Sequence, residues 1–158
     1  MENTRNTTTF LVCISDQHES EVALRFACLR AQKRNAQVTL LHVIPPEDFQ
    51  GLFAISDMMK QEREEEAQNL LNSMAELALQ CSGIRPSIVL REGILGEEIV
   101  KTTLENGDIV AVVLGVQHDS PTAPKLLSWL TSKLGQELLT PIMVVPGNLT
   151  DAQIDALV

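Results

Sequence analysis

The sequence predicts a single α/β domain: a doubly wound, five-stranded parallel sheet of order 3-2-1-4-5 with helices on both faces. Two observations lead to this fold class. Short, uninterrupted apolar runs, of which 109–114 is the clearest, are typical of strands that helices cover on both faces. Segments with helical apolar spacing separate these runs, and the resulting alternation implies crossover connections in a parallel sheet. The strand order follows if the first three strands wind one way and the last two the other.

Each of the five strands has a local signature. The first two are short runs rich in β-branched residues. The third contains Pro86, which a central strand would not tolerate, so it is expected at an edge of the sheet. The fourth is the long apolar run, and Gly115 ends it where the backbone must turn. Pro141 and Pro146 bracket the fifth. The strands are expected at 10–15, 37–43, 85–91, 108–114 and 141–145.

Helices are expected between the strands. The first would be capped by Ser20 or Glu19 and would end at Asn35 in a left-handed conformation. The second is long and has acidic first turns, which the helix dipole favours. Gly83 is expected to close the second helix and Gly107 the third. The second helix is expected at about 57–80 and the third at 97–106, and the leucine stripe of the fourth comprises Leu126, Leu127, Leu130, Leu134 and Leu138.

The chain is expected to divide into three parts. A polar tail covers residues 1–8, the α/β domain covers 9–147, and a C-terminal extension covers 148–158. Thr150 and Gln153 stand at the spacing of a capping box, which indicates a short helix in that extension. The length of 158 residues suits one domain with its own core.

Composition excludes several classes of partner. The formal net charge of −9 argues against binding to nucleic acids or anionic membranes, which requires clustered Lys and Arg. No apolar run approaches membrane-spanning length and no leader segment is recognisable, so we expect a cytoplasmic protein. Cys13, Cys28 and Cys81 form no C-x-x-C pair, and we expect them to be small core residues in a reducing compartment.

The polar loop after the fourth strand is the first candidate binding site. It lies between Gly115 and a helix, so helix N-terminal amides should face the carboxyl edge of the sheet, where such folds bind phosphates. Ser15 and Asp16, which follow the first strand, should reach the same edge. A solvated connecting loop without a ligand is the alternative. The side chains that could donate hydrogen bonds there are His118, Ser120, Thr122 and Lys125.

Five short matches, in order and at matching spacing, make the chain resemble the universal stress protein family over about residues 9–147. His42 falls in the second match, and the family has a histidine there, which favours a structural role for it. No single match is specific, but the set of five is. The matching stretches are 12–15, 40–43, 91–93 with 97–99, 113–115 and 141–146.

The chain departs from this family at the nucleotide site. The ATP-binding branch carries G-x2-G-x9-G-[S/T] after its fourth strand, and only Gly115 of these four elements is retained. Glycines let backbone amides approach phosphates, and Trp129 would replace a phosphate-binding hydroxyl with an indole. Ser15 stands where the family has an aspartate at the adenine end. The residues at the family's nucleotide-binding positions are Ser15, Asp16, Val43, Gly115, His118, Ser128 and Trp129.

Two functions are compatible with these observations. The first is a non-enzymatic stress-response module with a degenerate nucleotide-binding motif, for which no cofactor is expected. The second is a switch that binds ATP or another adenine nucleotide, weakly, between the first and fourth strands. An enzyme is not expected, because the sequence has no G-x-S-x-G elbow, no Walker A motif and no metal-ligand cluster.

The fifth strand is the predicted dimer interface. Its central residues are all apolar, and exposed sheet edges of this kind template pairing with another chain unless they are charged or covered. Two copies could pair antiparallel across a twofold axis, and the family resemblance also implies a homodimer. Alternatively, residues 148–158 cover the edge within one chain. The sequence names no other protein partner. The expected interface residues are Ile142, Met143, Val144 and Val145.

Overall fold

The computed structural model describes residues 7–46, 57–117, 123–133 and 137–158. Strands and helices alternate along the whole of this part of the chain. In chain order the elements are β1 (Thr9–Cys13), α1 (Gln17–Arg34), β2 (Gln37–Ile44), α2 (Asp57–Ser82), β3 (Ser87–Glu92), α3 (Leu95–Glu105), β4 (Ile109–Val116), α4 (Ala123–Lys133), β5 (Ile142–Pro146) and α5 (Asp151–Leu157).

The five strands form one parallel sheet of order β3-β2-β1-β4-β5. This confirms the predicted fold class and strand order, and each strand boundary lies within two residues of its expected position. Val12 of β1 pairs with Leu40 on one side and Val113 on the other. The order of the strands therefore reverses between β1 and β4, which places their carboxyl ends side by side at the switch point.

Two hydrophobic layers hold the helices to the sheet. Helices α1 and α2 cover one face, and α3 and α4 cover the other. Successive side chains of each strand point alternately into the two layers, which is why the central strands β1 and β4 carry uninterrupted apolar runs. Fully buried side chains of the first layer include Leu24, Leu40, Leu71, Met74 and Val113, and those of the second include Leu11, Leu41, Ile99, Val112 and Leu130.

Val110 is an exception to the expected burial of the run 109–114. Its side chain is 41 % exposed. The register of β4 against β1 shifts here, because Thr9 pairs with Ile109 and Phe10 with Ala111. Val110 is thus the extra residue of a β-bulge, which leaves the ladder and turns outward. The prediction that the whole run is buried on both faces was wrong at this position.

Helix α1 begins earlier than the sequence suggested. Asp16 caps it, and its Oδ1 accepts a hydrogen bond from the backbone N of Glu19 at 2.8 Å. Ser20 and Glu19, the expected caps, lie inside the first turn, where Ser20 Oγ accepts from the backbone N of Ser15. The end of α1 is as predicted, because Asn35 has φ of 55° and is left-handed.

Other helix boundaries also differ from expectation. Helix α3 begins at Leu95, and its C-cap is Asn106, not Gly107. Leu138 is buried, but it follows α4 and packs under the sheet from the segment before β5. Leu134 lies outside the described residues. In α5 the capping box of Thr150 and Gln153 is present. None of the helices described here is long and apolar enough to cross a membrane.

Candidate functional site

The crevice between the carboxyl ends of β1 and β4 is where the fold would place a ligand. Ser15 follows β1, and Gly115 is the penultimate residue of β4. Both line the same cavity, together with apolar residues of α3 and α4. The structure therefore brings Ser15 and Gly115 together, as the strand order predicts.

Gly115 is in close contact with α1. A Cβ atom at this position would lie 2.3 Å from the carbonyl oxygen of Glu19 and 3.3 Å from the Cβ of Ala23. Any side chain would therefore push the first turns of α1 away from β4. Packing of the helix alone is a sufficient reason for glycine here, without a phosphate ligand.

Glu19 is the residue of this crevice that sequence reasoning missed. Its side chain is 4 % exposed. The carboxylate accepts hydrogen bonds from the Ser15 hydroxyl at 2.9 Å and, more weakly, from the backbone N of Gln117 at 3.4 Å. It thus joins the loop after β1 to the end of β4 across the crevice. A glutamate in a first helical turn is usually solvated, so nothing local in the sequence marked it.

The space left in the crevice is small and apolar. The cavity holds about 30 Å³, where about 10–15 Å³ suffices to hold one water molecule. Sites for small molecules usually measure about 300–1,000 Å³. Burial raises the pKa of the Cys13 thiol to about 12. This shift agrees with an apolar bottom of the cavity that excludes water. Leucines from two helices fill the rest of the space: Leu95, Leu126 and Leu127.

Trp129 packs between α3 and α4. A Cβ on Gly96 would lie 2.3 Å from Cε3 of the indole, so the ring lies against the backbone of α3. This glycine allows the two helices to approach with a large aromatic side chain between them. Ser128, the neighbouring motif position, points to solvent. His118, Ser120 and Thr122 lie outside the described residues.

The residues at the adenine end of the expected site also have structural roles. Val43 is buried in the layer under α3 and α4. His42 Nδ1 lies 2.6 Å from the carbonyl oxygen of Ile14 and so ties β2 to β1, which agrees with the structural role expected for it. Asp16 is engaged as the cap of α1. Of the predicted positions that the structure describes, only Ser15 and Gly115 line the crevice.

A larger cavity opens on the opposite face of the same edge. It holds about 540 Å³ between the ends of β1 and β2 and the first half of α2. Charged residues of both signs, Arg63 and Glu66, stand beside Asp16 and His42 on its wall. This lining carries no excess of positive charge for a polyphosphate. In the described ranges no three His, Cys, Asp or Glu side chains are grouped to hold a metal ion.

Comparison with known proteins gives a consistent family and fold. The sequence model of the universal stress protein family matches residues 6–146. The universal stress protein UspA from Lactobacillus plantarum is similar in structure, with a TM-score of 0.69 and 17 % identity over 87 % of this chain and 97 % of that one. No curated protein sequence matches the chain.

Two further similar structures are described as complexes with a nucleotide. One is a universal stress protein in complex with cAMP, with a TM-score of 0.63 and 16 % identity over 87 % of this chain and 96 % of that one. The other is the universal stress protein from Archaeoglobus fulgidus in complex with dAMP, with a TM-score of 0.62 and 20 % identity over the same shares. At these identities the likeness shows the fold.

Proposed function

This chain belongs to the universal stress protein family, and we propose that it is a cytoplasmic, dimeric and non-enzymatic stress-response module whose nucleotide crevice is closed to ATP. The observation that carries the proposal is the filling of that crevice by the protein's own side chains. Glu19 crosses it, leucines line it, and about 30 Å³ of space is left. A nucleoside triphosphate would need at least tenfold more volume.

Electrostatics supports the same conclusion. The Glu19 carboxylate is buried at the point where the motif of the ATP-binding branch would present amides to phosphates. Two like charges about 4 Å apart repel by about 4 kcal/mol at an effective dielectric constant of about 20. A phosphate in the crevice would have to overcome this repulsion or displace Glu19 from Ser15 and Gln117.

The proposed dimer rests on the edge strand β5. Val144 is 46 % exposed, and Ile142 and Met143 are partly buried. Val145 is 4 % exposed and packs into the layer under α1, so it can contribute only its backbone to an interface. Helix α5 packs on α1, where Arg25 forms ion pairs with Asp151 and Asp155. This placement of α5 beside α1 supports the proposal that β5 pairs with a second copy.

A switch that binds an adenine nucleotide is the second candidate. The cAMP and dAMP complexes of similar structures favour it, because a monophosphate carries less charge and volume into the crevice than ATP. In this chain such a ligand would still have to displace the Glu19 carboxylate. We therefore expect only weak binding of AMP or cAMP.

A titration series separates the two candidates. ATP, AMP and cAMP are titrated into ligand-stripped protein and into the triple variant His118→Gly, Ser128→Gly, Trp129→Ser, which restores the motif of the ATP-binding branch. The variant is expected to bind ATP at least about tenfold more tightly than the unmodified protein, a gain of about 1.4 kcal/mol. Trp129→Ser alone is the control, because it opens space without the glycines.

The role of Glu19 is tested in the same series. Glu19→Gln keeps the size of the side chain and removes its charge, so in the triple background it should strengthen ATP binding further. Glu97→Gln, at an exposed first-turn position of α3, is the matched control and should change nothing. Micromolar binding of AMP or cAMP by the unmodified protein would favour the switch over the closed module.

A further inference from the structure

Cys28 and Cys81 are neighbours across the interface of α1 and α2. Near the ends of these helices Gln32 Nε2 donates to the carbonyl oxygen of Ser82 at 3.1 Å. Cys28 lies one turn before Gln32, and Cys81 directly precedes Ser82. Both cysteines belong to the first core layer, and they lie close enough that each shifts the pKa of the other. Two cysteines that are distant in the sequence thus meet as a pair, which their spacing in the sequence did not indicate.

The two thiols have different surroundings. Cys28 is fully buried, whereas Cys81 is partly exposed. Cys81 also lines a cavity of about 210 Å³ that is enclosed by α1, α2 and α5. A small reagent that enters this cavity reaches Cys81 and not Cys28. The other residues of its wall are Glu21, Val22, Arg25, Leu77, Asp151 and Ile154.

The charges around the pair favour a thiolate at Cys81. Its pKa is lowered to about 7, first by the hydrogen bond from Cys28 and then by the Arg25 guanidinium and Ser82, against the opposing effect of burial. The pKa of Cys28 is raised. Asp151 and Asp155 of α5 form ion pairs with Arg25 at 3.4 and 3.7 Å, and Glu21 also faces the cavity. Arg25 is the cation that lowers the Cys81 pKa, and the carboxylates partly offset its effect.

We propose that Cys81 and Cys28 form a peroxide-responsive thiol pair that closes to a disulfide between α1 and α2. The Cys81 thiolate attacks one oxygen of a hydroperoxide such as hydrogen peroxide. The O–O bond breaks, the leaving hydroxide takes a proton to become water, and Cys81 becomes a sulfenic acid. The Cys28 sulfur then attacks the sulfenic sulfur, its proton leaves with the departing hydroxide as a second water, and the S–S bond forms.

The position of Cys81 in the last turn of α2 suits this reaction. Formation of the disulfide requires the two sulfur atoms to approach to a bond length of about 2.05 Å. Gly83 follows with φ of +74° and nothing within 4 Å of a Cβ position, so the end of α2 has room to adjust. A reducing cytoplasm would return the pair to thiols, which makes the disulfide a reversible response.

Peptide mapping after peroxide treatment tests the proposal. Reduced protein is exposed to hydrogen peroxide, its remaining thiols are alkylated after denaturation, and the digest is analysed by mass spectrometry. We expect two of the three thiols to be lost, a peptide pair joined through Cys28 and Cys81, and full recovery with dithiothreitol. Cys13→Ala is the matched control and should form the same disulfide, because Cys13 lies in the opposite layer.

Single variants separate the two roles. In Cys28→Ala the sulfenic acid on Cys81 has no resolving thiol and should be trapped by dimedone. In Cys81→Ala the Cys28 thiol should remain free to alkylate after the same treatment. Circular dichroism confirms that both variants are folded. Oxidation of Cys28 at an unchanged rate in Cys81→Ala, or three intact thiols in the treated unmodified protein, would overturn the proposal.

The pH dependence of alkylation is a second readout that needs no peroxide. The rate of Cys81 modification by iodoacetamide should reach half its maximum near pH 7, because the thiolate is the nucleophile. Cys28→Ala removes the largest cause of the lowered pKa and should move this midpoint upward. A midpoint near that of an ordinary thiol in the unmodified protein would show that Cys81 is not activated.

Discussion

Gly115→Ala should destabilise the protein in the absence of any ligand. The added Cβ would stand 2.3 Å from the carbonyl oxygen of Glu19, whereas ordinary contacts of a Cβ begin at 3.4 Å. Helix α1 or strand β4 must therefore shift by about 1 Å. Overpacking of this kind costs about 1–3 kcal/mol.

An opposing effect of the substitution is smaller. Alanine restricts the unfolded chain and so stabilises a protein by about 0.4–1 kcal/mol where its backbone conformation is compatible. The two ranges give a net loss between about 0 and 2.6 kcal/mol, and their midpoints give about 1.3 kcal/mol, which for a chain of this size lowers Tm by about 3–5 °C. If position 115 required glycine only to admit a phosphate, the ligand-free protein would not lose this stability.

Thermal and urea unfolding followed by circular dichroism measure the effect. Gly107→Ala is the matched control, because nothing lies within 4 Å of its Cβ position and its φ is not positive. This control should be neutral or slightly stabilised. Equal stability of the two alanine variants would refute the conclusion that α1 packs closely against Gly115. It would also remove one reason for regarding the crevice as closed.

Two further predictions concern Trp129 and the edge strand. Gly96→Ala should destabilise the protein by about 1–3 kcal/mol through its clash with the indole. In a double-mutant cycle, Trp129→Ala should recover at least about 0.5 kcal/mol of that loss. Additive losses in urea unfolding would show that the two residues do not touch. Val144→Lys should convert a dimer to a monomer in light scattering, whereas Val110→Lys, at a similarly exposed valine away from the edge, should leave it intact. A monomeric unmodified protein at tens of micromolar would remove the basis of the dimer.

The fold could be predicted from the sequence because buried parallel strands leave a local pattern. Each strand is an apolar run bounded by Gly, Pro or polar residues, and alternation with helices determines the topology. The failures are those where tertiary geometry decides. Val110 is exposed because a bulge removes it from the ladder. Asp16 caps α1 because its carboxylate reaches the backbone N of Glu19, which left Ser20 inside the helix.

The position of the candidate site could be predicted from the sequence, but the roles of its residues could not. Ser15 and Gly115 meet at the switch point because strand order alone brings them there. The roles of Glu19 and Gly96 depend on contacts with Gln117 and Trp129, residues that are distant in the sequence. The pairing of Cys28 with Cys81 likewise depends on how α1 packs against α2, which their separation in the sequence does not indicate.

The dissociation constant of magnesium ATP for the unmodified, ligand-stripped protein tests the closed crevice most directly. Isothermal titration calorimetry measures it, and a mass spectrum of the protein as purified shows whether any nucleotide was carried through. We expect no carried nucleotide and a Kd above about 100 μM, less than roughly 5.5 kcal/mol of binding free energy. A micromolar Kd, or ATP retained through purification, would contradict the account.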